Sequence, residues 1–259
     1  MAENELIGLF DTHAHPTDER FDEDRAEVLS RMRQAGMLCM CVGADMASSA
    51  QSVTLANEND NIYAAVGVHP HDAKRVTEAD VPQLIRWLTQ EKKVKALGEI
   101  GLDYHYEDIP REIQQRAFRA QMALAQELKL PVIVHEREAH EDGMKIVEEF
   151  QDVTGVFHCY SGSLEMAKML IRRGWYIGFG GVLTFKNARK AVEVAAQIPL
   201  ERIVLETDCP YMSPEPFRGK RNDPTRLYRM AEALASLWGV SPEEAQAITF
   251  ENGKRLYGI

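Results

Sequence analysis

The chain has 259 residues, of which 45% are hydrophobic and 27% charged, the make-up of an ordinary globular protein able to bury a core without disulfide or structural-metal staples. Its formal net charge of −10 excludes a generally basic nucleic-acid-binding surface, so a polyanionic substrate has to be met by a local basic patch or by bound metal ions. No apolar segment approaches the roughly 18–20 residues needed to span a bilayer, and the acidic start Met1-Ala2-Glu3-Asn4-Glu5 lacks the basic and apolar regions of a signal peptide.

In chain order, eight short apolar runs alternate with amphipathic stretches. The runs are Leu6 to Phe10, Leu38 to Val42, Ile62 to Val66, Val94 to Gly98, Pro131 to Val134, Gly155 to Phe157, Trp175 to Phe179 and Arg202 to Leu205. Several lack polar alternation, as strands buried on both faces do. Between them, Glu112 to Lys129 and Asp223 to Trp238 carry apolar residues at helical spacing. Gly36 and Gly174 read as helix stops, and Ser163 as an N-cap without a reciprocal Glu or Gln three residues on. Eight strands alternating with helices predict one parallel (β/α)₈ barrel of the TIM type spanning residues 1–259. An open doubly wound sheet is the alternative, but it calls for a Gly-rich loop after the first strand, where this chain has Asp11-Thr12-His13-Ala14-His15.

The ionisable residues fall at the ends of these runs. His13 and His15 follow the first, His69 the third, Glu99 the fourth, His135 the fifth, His158 the sixth and Asp208 the eighth. In a barrel, that end of the strands builds the active site. Any one histidine is most simply a hydrogen-bonded structural residue. Seven such residues sharing one face of a barrel are a site. Alternate residues of a strand point the same way, so His13 and His15 can reach one cation together. Imidazoles suit zinc and carboxylates suit magnesium and manganese. A Glu carboxylate with two oxygens can bridge two ions roughly 3.5–4 Å apart.

These segments resemble a known family. D-T-H-A-H at 11–15, G-V-H-P at 67–70, G-E-I-G-L-D-Y at 98–104, V-H-E-R at 134–137, F-H-C-Y-S-G at 157–162, L-E-T-D-C-P-Y at 205–211 and R-G-K-R-N at 218–222 are similar to the TatD family of metal-dependent hydrolases. The resemblance implies an amidohydrolase-type barrel. It implies one ion held by His13, His15, Glu99 and Asp208, and a second held by Glu99, His135 and His158. The ions would be Mg²⁺, Mn²⁺ or Zn²⁺, and the activity that of a deoxyribonuclease. The chain departs from the family pattern at Phe217, where His is frequent, and at Asp223, where Glu is frequent. These departures bear on a phosphate or substrate contact and on a carboxylate beside the site, respectively.

The expected chemistry is phosphodiester hydrolysis of DNA or another phosphodiester. Asp208 orients water and accepts its proton, and Glu99 bridges the ions. Arg137, Arg218, Lys220 and Arg221 are candidates to hold phosphates, since arginine can offer two parallel hydrogen bonds; a solvated loop is the competing reading of that charge run. His69 is expected beside the phosphate or supporting a ligand, with His71 less defined. Tyr160 and Phe217 are candidates to stack on a base, with apolar packing at least as natural. Glu206 reads as structural, and Asp103 as orienting a ligand or its loop. His105 and His140 read as surface or loop residues. Cys159 and Cys209 flank ligands and read as packing. With Cys39 and Cys41 they form no C-x-x-C pair, and buried free thiols fit a reducing, cytoplasmic compartment. No protein partner is implied, and a monomer is the expectation. Two other functions compete: a two-metal amidohydrolase acting on a small amide, ester or lactone, and a metal-binding protein without turnover. The first would carry a bridging lysine on the fourth strand, where Glu99 stands and Lys93 and Lys95 lie too early.

Overall fold

The structure, a computed structural model, describes residues 8–259. The Leu6-Ile7 start of the first apolar run and the Met1–Glu5 segment lie outside the described residues. Within them, eight strands form one parallel sheet in the order β1 to β8. The strands are β1 (Phe10–Ala14), β2 (Leu38–Val42), β3 (Ile62–Val66), β4 (Val94–Asp103), β5 (Val132–Arg137), β6 (Gly155–Phe157), β7 (Tyr176–Phe179) and β8 (Ile203–Leu205). Between β8 and β1, the Thr12 hydroxyl donates to the Leu205 carbonyl at 3.0 Å. Just beyond β8, Asp208 N donates to His13 O and His15 N to Cys209 O, at 2.9 and 2.8 Å. The sheet is thereby a nearly closed barrel.

Nine α-helices surround it among the described residues: α1 (Arg25–Gln34), α2 (Met46–Glu58), α3 (Val81–Gln90), α4 (Arg111–Leu128), α5 (His140–Glu149), α6 (Leu164–Arg172), α7 (Arg189–Gln197), α8 (Tyr228–Trp238) and α9 (Pro242–Tyr257). None is long and apolar enough to cross a membrane. Gly36 follows α1 at φ 61 and Gly174 precedes β7 at φ 88, the left-handed conformation that ends helices. Ser163 caps α6 by accepting from Met166 N at 3.2 Å. The helical stretch expected from Asp223 instead opens with a short 3₁₀ turn at Pro224–Leu227 before α8 begins. Asp223 caps that turn and Pro224 occupies its first position, where a missing N–H costs nothing.

Two cores result. Every strand sends a buried residue into the barrel, and β2 sends two: Phe10, Met40, Val42, Ala65, Ala96, Ile133, Val156, Tyr176 and Val204. A larger cluster lies between strands and helices. Helix α9 runs against the barrel end where β8 starts. Asn252 Nδ2 donates to the carbonyls of Leu200 and Ile203 at 2.8 and 2.7 Å, and Tyr257 donates its hydroxyl to Thr12 O at 2.9 Å. The approach requires Gly253, whose place a Cβ would share with the Phe10 ring at 2.6 Å.

Strands β4 and β5 run further than their apolar runs, through Glu99 to Asp103 and through His135 to Arg137. Their outer ends stay paired, Gly101 with His135 and Asp103 with Arg137. Both β1 and β4 carry a register shift, between Asp11 and Ala14 and between Leu97 and Ile100. Such bulges re-aim side chains beside active sites; here they fall at His13 and at Glu99.

Candidate metal centre

At the C-terminal mouth of the barrel the two carboxylate oxygens of Glu99 face different imidazoles. Oε2 lies 3.5 Å from His13 Nε2 and 3.8 Å from His15 Nε2. Those two nitrogens are 3.1 Å apart. Asp208 Oδ1 completes that group, at 3.8 and 3.5 Å from the same pair. Oε1 lies 2.7 Å from His158 Nε2, 2.9 Å from His135 Nδ1 and 3.7 Å from His69 Nε2. Glu99, His13 and His158 are buried. His15 is held by its Nδ1 against the Val42 carbonyl at 2.8 Å, and His135 by its Nε2 against Asp103 Oδ2 at 3.1 Å. Supporting atoms of this kind fix ring orientation in metal sites.

The electrostatics follow from this crowding. Burial alone would raise the Glu99 carboxyl, but His158, His69 and His13 outweigh it and hold it well below the usual range. Asp208 is likewise held down, by His15 and His13 against the effect of burial. Burial lowers His13 to about 4, with His158 adding to it, and lowers His69 to about 3. Burial opposes a proton on His15 and His135. Asp208 and Glu99 overcome it at His15, and Asp103 and Glu99 at His135, raising each to about 9. The centre therefore joins ionised carboxylates to two neutral imidazoles, His13 and His69, and to two that carry protons at neutral pH, His15 and His135; a divalent cation bound there would take the place of those protons. Donors of this kind, converging within 4.8 Å as His13, His15 and Glu99 do and as His69, Glu99 and His135 do, suit divalent ions.

A third convergence lies beneath. The His13 and His158 rings stack at 3.9 Å with 7° between planes. The Nδ1 atoms of both, and Glu206 Oε2, have no hydrogen-bond partner among the described residues. Glu206 is fully buried; its other oxygen accepts from Cys159 N. The pocket exists because position 178 is glycine: a Cβ there would stand 2.6 Å from Glu206 Oε2. Burial raises the Glu206 carboxyl to about 7.

Asp208 and Cys159 adopt left-handed backbone, at φ 53 and φ 43, a conformation costing on the order of 1–3 kcal/mol for a residue with a side chain. The bonds from Asp208 N to His13 O and from Tyr211 N to Asp208 O, both 2.9 Å, hold the first of these in place.

A family model described as TatD related DNase matches residues 10–258. The chain belongs to the TatD family. It is a TatD-type metal-dependent hydrolase. YabD of Bacillus subtilis, described as an uncharacterized metal-dependent hydrolase, is 44% identical over 97% of this chain and 99% of its own. The 3′-5′ ssDNA/RNA exonuclease TatD of Shigella flexneri serotype 5b is 34% identical over 97% and 99%. The crystal structure of the Escherichia coli TatD homolog YJJV superposes with a TM-score of 0.91 at 32% identity, covering 97% of this chain and 98% of that one.

Relative to the TatD motifs, the structure brings together His13, His15, His69, Glu99, His135, His158 and Asp208. The cleft above them, about 1740 Å³, is also lined by Arg137. Arg218, Lys220 and Arg221 are not among its lining residues. Arg218 lies over the Phe185 ring at 3.8 Å, and Lys220 is exposed. Arg221 makes two bonds to the Asp24 carboxylate, at 2.7 and 2.6 Å, and one to Arg20 O. The departures from the family pattern also lie off the cleft. Phe217 sits under the Arg226 guanidinium at 4.3 Å. Asp223 accepts from Thr225 N and pairs with Arg31 at 2.5 Å. It is a cap and strut, not a carboxylate beside the site.

Asp103 is a hub: His71 Nε2 and His135 Nε2 both lie 3.1 Å from its Oδ2, and His105 N donates to Oδ1. His105 is exposed and pairs with Glu138, while His140 pairs with Glu136. The cysteines are free, and burial raises the thiols of Cys159 and Cys209 well above their ordinary range. Tyr160 is only 5% exposed and bonds Ser163 O. The aromatic residues exposed in the cleft are Tyr106 and Tyr211, which sequence reasoning missed. Each follows a strand-end aspartate, Asp103 or Asp208, by three residues, and that offset was the available signal.

Proposed function

We propose that this protein hydrolyses phosphodiester bonds of nucleic acid using two divalent ions. His13, His15, Glu99 and Asp208 would hold one ion, and Glu99, His135 and His158 the other. The observation that carries the reading is the division of labour within one carboxylate: Glu99 Oε2 faces His13 and His15, and Oε1 faces His135 and His158. Bound there, divalent ions would polarise a phosphoryl oxygen and lower the pKa of a water from about 16 toward about 7.

The chain's own groups do the rest. Asp208, ionised and 16% exposed at its side chain, reaches the cleft and accepts the proton of the attacking water. Its second oxygen faces the Cys159 thiol at 3.7 Å, a weak donor that leaves lone pairs of that oxygen open to the proton. His69, held neutral, is placed to donate to a phosphoryl oxygen. Arg137, which has no carboxylate partner among the described residues, supplies fixed positive charge for a phosphate. Arg218 and Lys220 would meet only a longer strand, and Arg221 acts through the loop it anchors. The lysine bridge of a small-amide enzyme has no counterpart here, since Lys93 Nζ is occupied by the carbonyls of Asn59, Asp60 and Ile62.

The test is to strip the protein with EDTA and restore Mg²⁺, Mn²⁺ or Zn²⁺ in turn. Single- and double-stranded DNA and RNA are supplied, and product lengths are resolved. Cleavage that disappears with EDTA and returns with an ion is expected. A folded, metal-loaded protein that leaves every phosphodiester intact while opening lactones would overturn the reading in favour of the amidohydrolase chemistry.

A further inference from the structure

The cleft holds two aromatic rings that packing does not explain. Among the described residues the exposed large hydrophobics are Val81, Ile85, Tyr106, Met169 and Tyr211. The first two stand on α3 and Met169 on α6, away from the cleft. Tyr106 and Tyr211 line it, with 48% and 49% of their surface exposed. A half-exposed tyrosine in an open cleft forgoes part of its apolar burial, and two of them beside the centre point to a binding function.

Their positions bracket the centre along the Glu99 carboxylate. The Tyr211 ring lies 6.4 Å from the ring of His15, on the Oε2 side. The Tyr106 ring lies 5.1 Å from His71, whose ring is 4.5 Å from His69, itself 4.5 Å from His135, on the Oε1 side. Each ring is paired with a guanidinium. Arg20 lies 4.1 Å from the Tyr211 centroid and is fixed by two 2.9 Å bonds to Asp18. Arg137 lies 5.3 Å from the Tyr106 centroid. A cation beside a ring polarises it; Tyr106 also meets the His71 and His105 rings in T-shaped contacts at 5.1 and 4.9 Å, and the exposed half of each tyrosine is the surface offered to a flat π-system.

We propose that Tyr106 and Tyr211 are two stacking platforms for unpaired nucleobases, one on each side of the scissile phosphodiester. The proposal rests on the phosphodiester reading above. It also resolves a difficulty of charge. The chain carries a net −10, and in the cleft Asp18, Asp22, Asp45 and Asp108, together with the centre's own carboxylates, outnumber the cations Arg25, Arg137, Arg189 and Lys190, so phosphate contacts alone would hold a strand weakly. Stacking needs no positive surface and accepts every base. Bases paired in a duplex have both faces occupied and cannot use these rings.

The experiment compares wild type with Tyr106→Ala, Tyr106→Phe, Tyr211→Ala and Tyr211→Phe. Substrates are an oligothymidylate, the same strand with abasic residues flanking the cleaved bond, and a blunt duplex. Each alanine variant is expected to raise KM on the intact strand by about 5- to 100-fold, with kcat changed far less. The phenylalanine variants are expected to restore the wild-type KM. The alanine penalty is expected to shrink on the abasic strand, as a double-mutant cycle requires of a direct ring–base contact. Fluorescence anisotropy of the labelled strand, in EDTA, reads the same loss as binding without turnover. Alanine variants matching wild type on the intact strand, or losing equally on intact and abasic strands, overturn the stacking proposal while leaving the hydrolase reading standing. A wild type that cleaves no phosphodiester overturns both.

Discussion

At the scale of the residue, the centre depends on what one buried carboxylate can do. Glu99 is 4% exposed and touches five imidazoles. Taken alone, its burial would be strongly unfavourable to charge, yet those imidazoles keep it ionised. Glutamine has the same shape without the charge. Glu99→Gln is therefore expected to reduce bound divalent metal measured by elemental analysis and to lower turnover by more than about 100-fold, since even supporting residues around a metal cost roughly 10- to 100-fold. Full metal content and rate in that variant would mean that Glu99 holds no ion. The position was legible in the sequence because Glu99 ends an apolar run. Which imidazoles each of its oxygens faces was not, because that depends on the bulge between Leu97 and Ile100, a relation between neighbouring strands. Glu206 shows the same limit: in sequence it is one more acid, and only its burial beneath His13 and His158 gives it a place in the centre.

At the scale of the element, helix spacing and strand runs were readable, while the roles of loops were not. The 218–222 segment is basic and resembles a phosphate-binding loop, but folding turns Arg221 onto Asp24 and over the Phe21 ring at 4.4 Å, and Asn222 onto Thr207 O. The segment straps the end of β8 to the turn preceding α1. Arg221→Ala is thus expected to lower stability in urea unfolding by no more than about 1 kcal/mol, as for other partly exposed ion pairs. The sign of its pH dependence follows from Asp24, whose carboxyl the Arg221 hydrogen bonds hold below its ordinary value of 3.8. A depressed carboxyl stabilises the fold above the unfolded pKa and ceases to do so as pH falls through the folded one. The difference between wild type and Arg221→Ala is expected to be present at neutral pH and to close below about pH 4. A gap that does not narrow as pH falls below that range would assign the effect to packing on Phe21 instead.

At the scale of the whole molecule, the barrel brings residues nearly two hundred positions apart, His13 and Asp208, to within 3.8 Å. An assembly that gathers carboxylates and histidines in a buried site gains stability from any ligand that binds only the folded state. With divalent ion at 100 times its dissociation constant, the gain is about 2.7 kcal/mol, which for a chain of this size raises Tm by roughly 5–11 °C. Calorimetry with Mn²⁺ or Zn²⁺ against EDTA checks this; identical melting curves would show that the centre holds no ion.

The sequence by itself determined the barrel and the positions from which the candidate ligands come. Apolar runs of strand length alternating with helical patterns admit few packings, and the strand ends of a barrel must share one mouth. Only the tertiary structure decided which charges face the cleft and which face the protein. The cations of 218–221 are spent or turned aside, Tyr160 is sunk into the wall, and Tyr106 and Tyr211 are left open beside the centre. The reason is physical. Periodicity encodes burial along a strand or helix, whereas the direction of a loop side chain is set by partners such as Asp24, Arg20 and Asp103, which the chain brings near only when it closes.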